Sequence, residues 1–187
     1  MIIGITGTDG AGKGEVVAYL IEKKGFIHYS ARQLFIEEIT RQGLPMDREH
    51  MRLVANALRR ERGNDMLVTT YLARIKEAGT KDGIIESIRA RAEAETLQSQ
   101  GGILLAVDAD PQLRYERITA RASESDAVSF ESFVAHEALE MNDPDPNGMQ
   151  KAAVMAMADY TIMNNGTLEE LHAQIEEVLA KIVSGED

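Results

Sequence analysis

Gly7, Thr8, Asp9, Gly10, Ala11, Gly12 and Lys13 spell GxxxxGK directly after the apolar run Ile2 to Thr6, an order of residues suited to holding phosphate. Glycines without side chains let successive backbone N–H groups approach phosphate oxygens at a helix N-terminus, while a lysine adds a point charge. The residues placed around such a ligand are Asp9, Gly10, Ala11, Gly12, Lys13, Gly14 and Glu15. Asp9 has a plainer use as well, ordering the turn through its own side-chain hydrogen bonds. Gly14 stands where a Ser or Thr would lend Mg²⁺ a hydroxyl, and glycine cannot ligate.

A second group is Glu86 and Arg89, just after Gly83, Ile84 and Ile85. In an open α/β sheet the ligand crevice lies at the carboxyl ends of the strands, so both should face the phosphate loop. There Glu86 can order the water shell of Mg²⁺ and Arg89 can grip an acceptor phosphate; a salt bridge between the two is the alternative. A third group is Arg114, Arg117 and Arg121, spaced i, i+3 and i+7 on one helical face. Asp110 can neutralise Arg114, but Arg117 has no acid at a helical neighbour position, and like charges so spaced repel unless an anion lies between them. A triphosphate is one such anion, and a solvated basic face is the other reading. His28 and His50 have no carboxylate at a diagnostic spacing and read as structural or exposed.

These groups need a frame. Strands are expected at Ile2 to Thr6, Phe26 to Tyr29, Ile84 to Ile85, Ile103 to Val107 and Thr161 to Met163. Helices carrying apolar residues at i, i+3, i+4 and i+7 fall between and after them. Ser30 with Gln33 and Thr167 with Glu170 form capping-box patterns, Asp47 and Asn64 are placed to cap two consecutive helices, and Asp110 with Pro111 starts another. Strands alternating with helices give an α/β fold with a parallel sheet. The length of 187 residues fits one domain, 1–187, with a helical insertion at about 31–78 and a second insertion at about 122–150. The stretch Ser123 to Gly148 is expected to be mobile.

With 44% hydrophobic residues the chain can bury a core, yet no apolar run reaches the roughly 18 residues of a membrane span. No secretory signal is visible after Met1, and the absence of cysteine excludes disulfides and thiolate chemistry. A cytoplasmic location is expected. The net charge of −11 argues against nucleic acid as a partner. The excess of acid lies in residues 122–187, which carry fourteen acids and two bases. A polyanion site should therefore come mainly from the first two thirds of the chain.

GTDGAGKGE resembles the GxPGxGKGT loop of adenylate kinases and other nucleoside monophosphate kinases, which also carry glycine after the lysine. The resemblance implies a P-loop NTPase three-layer sandwich, a five-stranded parallel sheet with helices on both faces, and ATP with Mg²⁺ held largely through water and phosphate oxygens. Glu15 departs from it, since that family has threonine there. GxDGAGK is also similar to the thymidylate kinase loop, which implies that Asp9 lies near a substrate sugar. Glu86 to Arg89 resembles the DGxR stretch of adenylate kinase relatives, and Arg117 with Arg121 resembles the RxxxR at the entry to their lid. Those lids add further arginines, whereas residues 122–150 contain no base.

Ser30 matches the serine of the monophosphate segment, and Ile36 replaces that family's acceptor arginine, leaving Arg32, Arg41 or Arg59 to substitute, with Arg32 preferred. VDADPQLRYERITAR and the ending ADYTIMNNGT resemble dephospho-CoA kinases, which implies that Asn165 and Gly166 lie beside the donor adenine. GKGEV and ESIR are similar to the GKSEV and DGIR of an archaeal group of small adenylate-kinase-like P-loop proteins. The resemblances together imply phosphotransfer in which Lys13, Arg89, Arg117 and Arg121 carry the charge. The acceptor would be a nucleotide or nucleotide-like molecule bound by Asp9, Ser30, Arg32 and Arg89, with dephospho-CoA phosphorylation or slow-turnover nucleotide binding as alternatives. Neither nucleic acid nor membrane is an expected partner, and the chain would act as a monomer or homodimer.

Overall fold

Five short apolar runs pair edge to edge as an all-parallel sheet in the order β2-β3-β1-β4-β5. The strands are β1 (Ile2–Gly7), β2 (Ile27–Ser30), β3 (Gly83–Glu86), β4 (Ile103–Asp108) and β5 (Tyr160–Met163). The computed structural model describes residues 1–120, 129–142 and 149–185, apart from the side chains at positions 48, 49 and 52. Between the strands run α1 (Lys13–Lys24), α2 (Ala31–Gln42), α3 (Arg48–Arg62), α4 (Met66–Ala78) and α5 (Arg91–Ser99). The later helices are α6 (Pro111–Ala120), α7 (Phe130–Met141), α8 (Lys151–Ala156) and α9 (Leu168–Ser184).

Both faces of the sheet are covered, which is why its strands read as unbroken apolar runs rather than as alternations. On one face Ile3 and Ile5 pack with Val16, Val17 and Leu20 of α1 and with Leu171 and Ile175 of α9. On the other, Ile85 and Leu104 pack with Leu34 and Ile39 of α2, Leu67 and Tyr71 of α4, and Leu97 of α5. The register then decides where the chemistry sits. Ile5 pairs with Glu86, Gly7 with Val107, Ser30 with Glu86 and Asp108 with Met163, so the carboxyl ends of all five strands meet along one edge.

Caps follow the sequence unevenly. Asp47 accepts a hydrogen bond from the His50 N–H, and Thr167 and Glu170 complete their reciprocal box. Ser30 precedes α2 without a side-chain cap, and its carbonyl instead accepts the Tyr71 hydroxyl at 2.5 Å. Asp65, not Asn64, occupies the cap position of α4.

Within Ser123 to Gly148, the stretch expected to be mobile, residues 130–141 form α7, capped by Ser129. Phe133 of this helix is buried against Tyr115 of α6, with Phe130 on the edge of the same ring. The flanking parts of that stretch, 123–128 and 143–148, lie outside the described residues. Among the described residues no helix is long and apolar enough to cross a membrane.

Candidate functional site

Leaving β1, the chain turns through Thr8 to Gly12 and enters α1 at Lys13. Gly10 and Gly12 hold φ of 81° and 96°, a region other residues enter at a cost. A Cβ on Gly10 would press on the Arg114 backbone, and one on Gly12 would collide with the Asn164 amide. The glycines are thus required twice over, by conformation and by the close approach of α6 and of the strand β5 exit. Gly14 differs, because a Cβ there would meet nothing within 4 Å. Nothing in the surrounding space excludes a hydroxyl at 14; the sequence simply does not supply one. Glu15 is exposed.

Lys13 folds over its own loop, donating to the carbonyls of Gly7 at 3.0 Å and Thr8 at 2.7 Å, and lies 3.7 Å from Asp9 Oδ1. The other oxygen of the same carboxylate, Asp9 Oδ2, is 3.1 Å from Lys151 Nζ. Lys151 opens α8 and is 2% exposed. Burial pushes the Lys13 amine down to about 8, with the Lys151 and Arg89 charges adding and Asp9 and Glu86 opposing. Burial would raise the Asp9 carboxyl, but Lys151, Lys13 and Arg89 outweigh it and hold it below its ordinary value. Two lysines from distant parts of the chain therefore meet at the phosphate loop, and the Arg89 charge is felt there as well. Asp9 acts through its two oxygens as counter-ion to Lys13 and Lys151.

Glu86 and Arg89 stand at this site as their positions after β3 demanded, but they do not pair with each other. Glu86 Oε2 is 2.8 Å from His28 Nε2 across the β2–β3 pair, and this hydrogen bond holds the Glu86 carboxyl below the usual range. His28 is exposed, as its sequence reading allowed, and its partner comes from 58 positions away: the parallel register sets His28 opposite Ile84, two residues before Glu86 on β3. His50 likewise has a partner, Asp47, at 2.8 Å.

Between Glu86 and Arg89 the backbone at Ser87 is left-handed, with φ of 72°, and both Ser87 and Ile88 donate to the Ile5 carbonyl. Such strain in a non-glycine residue clusters at functional sites. The Arg89 backbone is pinned by Glu93, whose buried carboxylate accepts from the Arg89 N–H at 2.8 Å. Among the described residues the Arg89 guanidinium has a soft hydrogen-bond partner only, the Met149 sulfur at 3.5 Å.

The substrate-side arginines divide. Arg32 is exposed, Arg41 is tied to Glu38, and Arg59 lies 6.0 Å above the Phe35 ring. Ser30 is half-buried at the end of β2, next to Glu86 in register.

On the donor side, Arg117 Nη2 donates to the Asn164 carbonyl at 2.9 Å, while its Nη1 is buried without a partner. That atom is a donor awaiting an acceptor. Arg121 lies outside the described residues. The pairing of Arg114 with Asp110 is corrected: Arg114 is buried, holds the Ala109 carbonyl at 2.8 Å, reaches the Asp9 carbonyl at 3.3 Å and forms a two-pronged ion pair with Glu137 of α7. Asp110 turns instead to the Gln112 N–H.

Asn165 and Gly166 are exposed after β5, and Asn165 accepts from the Asp110 N–H at 2.7 Å. Asn164, which sequence reasoning passed over, is the residue that reaches the loop, donating to the Ala11 carbonyl at 2.8 Å. The N of the ADxxIxNxGT pattern falls on it and was the available signal. Asp108 was also missed; it accepts the Thr8 hydroxyl at 2.5 Å. No local signal marked Lys151, which stands 138 positions beyond Lys13.

Inward glycines, a lysine at a helix start, two further cations and an unpaired Arg117 nitrogen fit a polyphosphate. For a divalent cation the fit is thinner. No cluster of three acidic, histidine or cysteine ligands exists among the described residues, and the part-buried carboxylates near the loop include Glu86 and Asp108, each already engaged, by His28 and by the Thr8 hydroxyl.

Similarity to known proteins agrees with this geometry. The solved shikimate kinase of Aquifex aeolicus shares the fold, with a TM-score of 0.57 at 15% identity over 99% of each chain. A gluconokinase from Sinorhizobium meliloti 1021 shares it with a TM-score of 0.56 at 14% identity, covering 98% of this chain and 93% of that one. The chain thus shares the overall fold of these two kinases. UPF0200 protein TK1334 of Thermococcus kodakarensis is 29% identical over 98% of this chain and 99% of its own. UPF0200 protein PH1008 of Pyrococcus horikoshii is 30% identical over 98% of both. Residues 6–133 match the AAA domain model, and the chain belongs to that domain family and, over nearly its whole length, to the UPF0200 proteins.

Proposed function

We propose that this protein is an ATP-dependent phosphotransferase moving the γ-phosphoryl group of ATP·Mg²⁺ to a nucleoside monophosphate or a similar nucleotide. The observation that carries the reading is the meeting of Lys13 and Lys151 at Asp9 of one phosphate loop, with the Arg89 charge felt at the same carboxylate. Phosphoryl transfer asks mainly for positioning and for stabilisation of charge on the moving group, with no covalent intermediate. Lys13 and the loop amides hold the donor phosphates, and Arg117 offers its unpaired nitrogen to the donor. Arg89, with no carboxylate in hydrogen-bond contact, grips the acceptor's phosphate beside Ser30, and α2 to α4 form the acceptor side with Arg32 at its margin. Mg²⁺, when bound, neutralises charge on the phosphate oxygens. Glu86 is the carboxylate that would order its water, and Gly14 leaves the remaining ligands to the nucleotide.

A second reading, transfer to a hydroxyl of a nucleotide-like acceptor such as dephospho-CoA, is favoured by the contact between Glu86 and His28, which gives a carboxylate at the acceptor end a fixed orientation for taking a proton. The test is to mix the protein and ATP·Mg²⁺ with each common monophosphate and with dephospho-CoA while following ADP. ADP formation driven by a monophosphate supports the first reading, and formation driven by dephospho-CoA alone replaces it with the second. ATP bound but never consumed makes the protein a nucleotide-binding regulator.

A further inference from the structure

Lys151 is the most deeply buried cation of the site, at 2% exposure, and it faces two carboxylates that belong to different elements. One is Asp9 of the phosphate loop, at 3.1 Å; the other is Glu140, in a close ion pair from the last turn of α7. A buried ammonium is costly unless it is paired, so both contacts are needed while the site holds no other anion. The two acids are unequal. Asp9 is fixed in the loop backbone and shared with Lys13. Glu140 is 34% exposed at the tip of a flexible side chain, and a rotamer change suffices to return it to water.

The helix that delivers Glu140 is anchored independently of it. Phe133 is buried against Tyr115, the Arg114 guanidinium lies 5.5 Å from the Phe133 ring, and Glu137 pairs with Arg114. Glu137 and Glu140 lie at i and i+3 on one face of α7 and serve different cations. Arg114 spends its other donors on the backbone of Ala109 and Asp9, from behind the loop. Among the described residues Lys151 has no backbone carbonyl for a hydrogen-bond partner, and its charge reaches Lys13.

We infer that Lys151 is a phosphate-binding residue of this site and that Glu140 occupies its ammonium group as an internal stand-in for a nucleotide phosphate, so that the two compete. The inference rests on the phosphate-loop reading given above. It accounts for the absence of bases in residues 122–150. The charge needed opposite the loop comes from the first residue of α8, and the acidic helix supplies its counter-ion rather than its reinforcement.

The test is equilibrium dialysis of ATP against the full chain and four variants, each checked for a cooperative melt. Glu140→Gln should tighten ATP binding about fivefold, a modest factor for removing one partly screened like charge. Glu137→Gln, the same change of charge one turn earlier, should not tighten it. Lys151→Met should weaken it about tenfold, the scale of one charge-assisted contact, and leave two solvent-accessible acids that water can satisfy. In the double variant Glu140→Gln, Lys151→Met the gain from Glu140→Gln should vanish.

Equal tightening by Glu137→Gln would reduce the effect to net charge and overturn the inference, as would no tightening by Glu140→Gln or a gain that survives without Lys151. If Glu140→Gln does not melt cooperatively, unchanged affinity in Lys151→Met overturns it alone. Failure of the unaltered protein to bind ATP defeats the phosphate-loop reading itself, and this inference with it.

Discussion

Lys13 is charged only part of the time near neutral to alkaline pH, because its amine is pushed down to about 8 from an ordinary 10.5. In the chain without nucleotide the folded value lies below the unfolded one, so the cost of burying the charge is present in full below about pH 8 and is relieved as pH rises toward 10.5. Binding has the opposite slope. Phosphate needs the charged amine, so ATP affinity should fall as pH climbs through 8, and titrations at several pH values in Lys13→Met should show weak binding with that fall removed. The same variant should keep its fold, since the Lys13 amine touches only loop carbonyls and Asp9. Its ATP-dependent turnover should drop by about a hundredfold or more.

Arg89→Ala should raise the concentration of acceptor needed for half-maximal rate by about tenfold while changing ATP affinity less than threefold, because among the described residues its guanidinium has no carboxylate to release and, on the proposed reading, a phosphate to gain. Collapse of ATP binding with an untouched acceptor would move Arg89 to the donor side. The loop residues were legible because GxxxxGK is contiguous and its chemistry local. Lys151 and Asn164 were not, because each reaches the loop only through packing between elements more than 100 residues apart in sequence.

Elements with a strong internal pattern were legible in outline: five strands, the two consecutive helices α3 and α4, and the capped α9 all fall where apolar spacing and turn residues place them. The departures are where a partner decides. Ser30 has the residue type of a cap but gives its carbonyl to Tyr71, and α7 has too weak an apolar stripe to be told from a loop until Tyr115 is beside it. This alters what removal of the insertion would report. Deleting Ser123 to Gly148 takes away Glu137 and Glu140, leaving buried Lys151 with Asp9 alone and buried Arg114 with Asp108 at 3.7 Å, so lost activity would mix instability with mechanism.

Phe133→Ala is the cleaner probe of α7. It should destabilise the chain by about 2 kcal/mol, below the usual cost of truncating a core phenylalanine because the helix is peripheral. The melting temperature should then fall by about 4–8 °C. ATP binding should persist in this variant, since Lys13 and the loop amides are spared, whereas phosphoryl transfer should fall relative to ATP hydrolysis as the helix loosens and water enters. A melt identical to that of the unaltered chain would show that α7 is not held by this contact.

The parallel sheet brings residues from five strand ends to one edge, and from the acidic last third Glu137 and Glu140 reach it through their ion pairs with Arg114 and Lys151. The charge count pointed to the first two thirds as the main source of cations, with one exception: the last third also contributes Lys151. If this edge binds ATP and passes on its terminal phosphoryl group, as proposed, the transfer can be followed with ATP labelled in the γ-phosphoryl group, incubated with Mg²⁺ and a panel of nucleotide acceptors, in the unaltered chain and in Lys13→Met. Label should appear on one acceptor with the unaltered chain and on none with Lys13→Met; an unaltered chain that neither binds the ATP nor moves the label, or a Lys13→Met chain that moves it equally well, would overturn the proposed function.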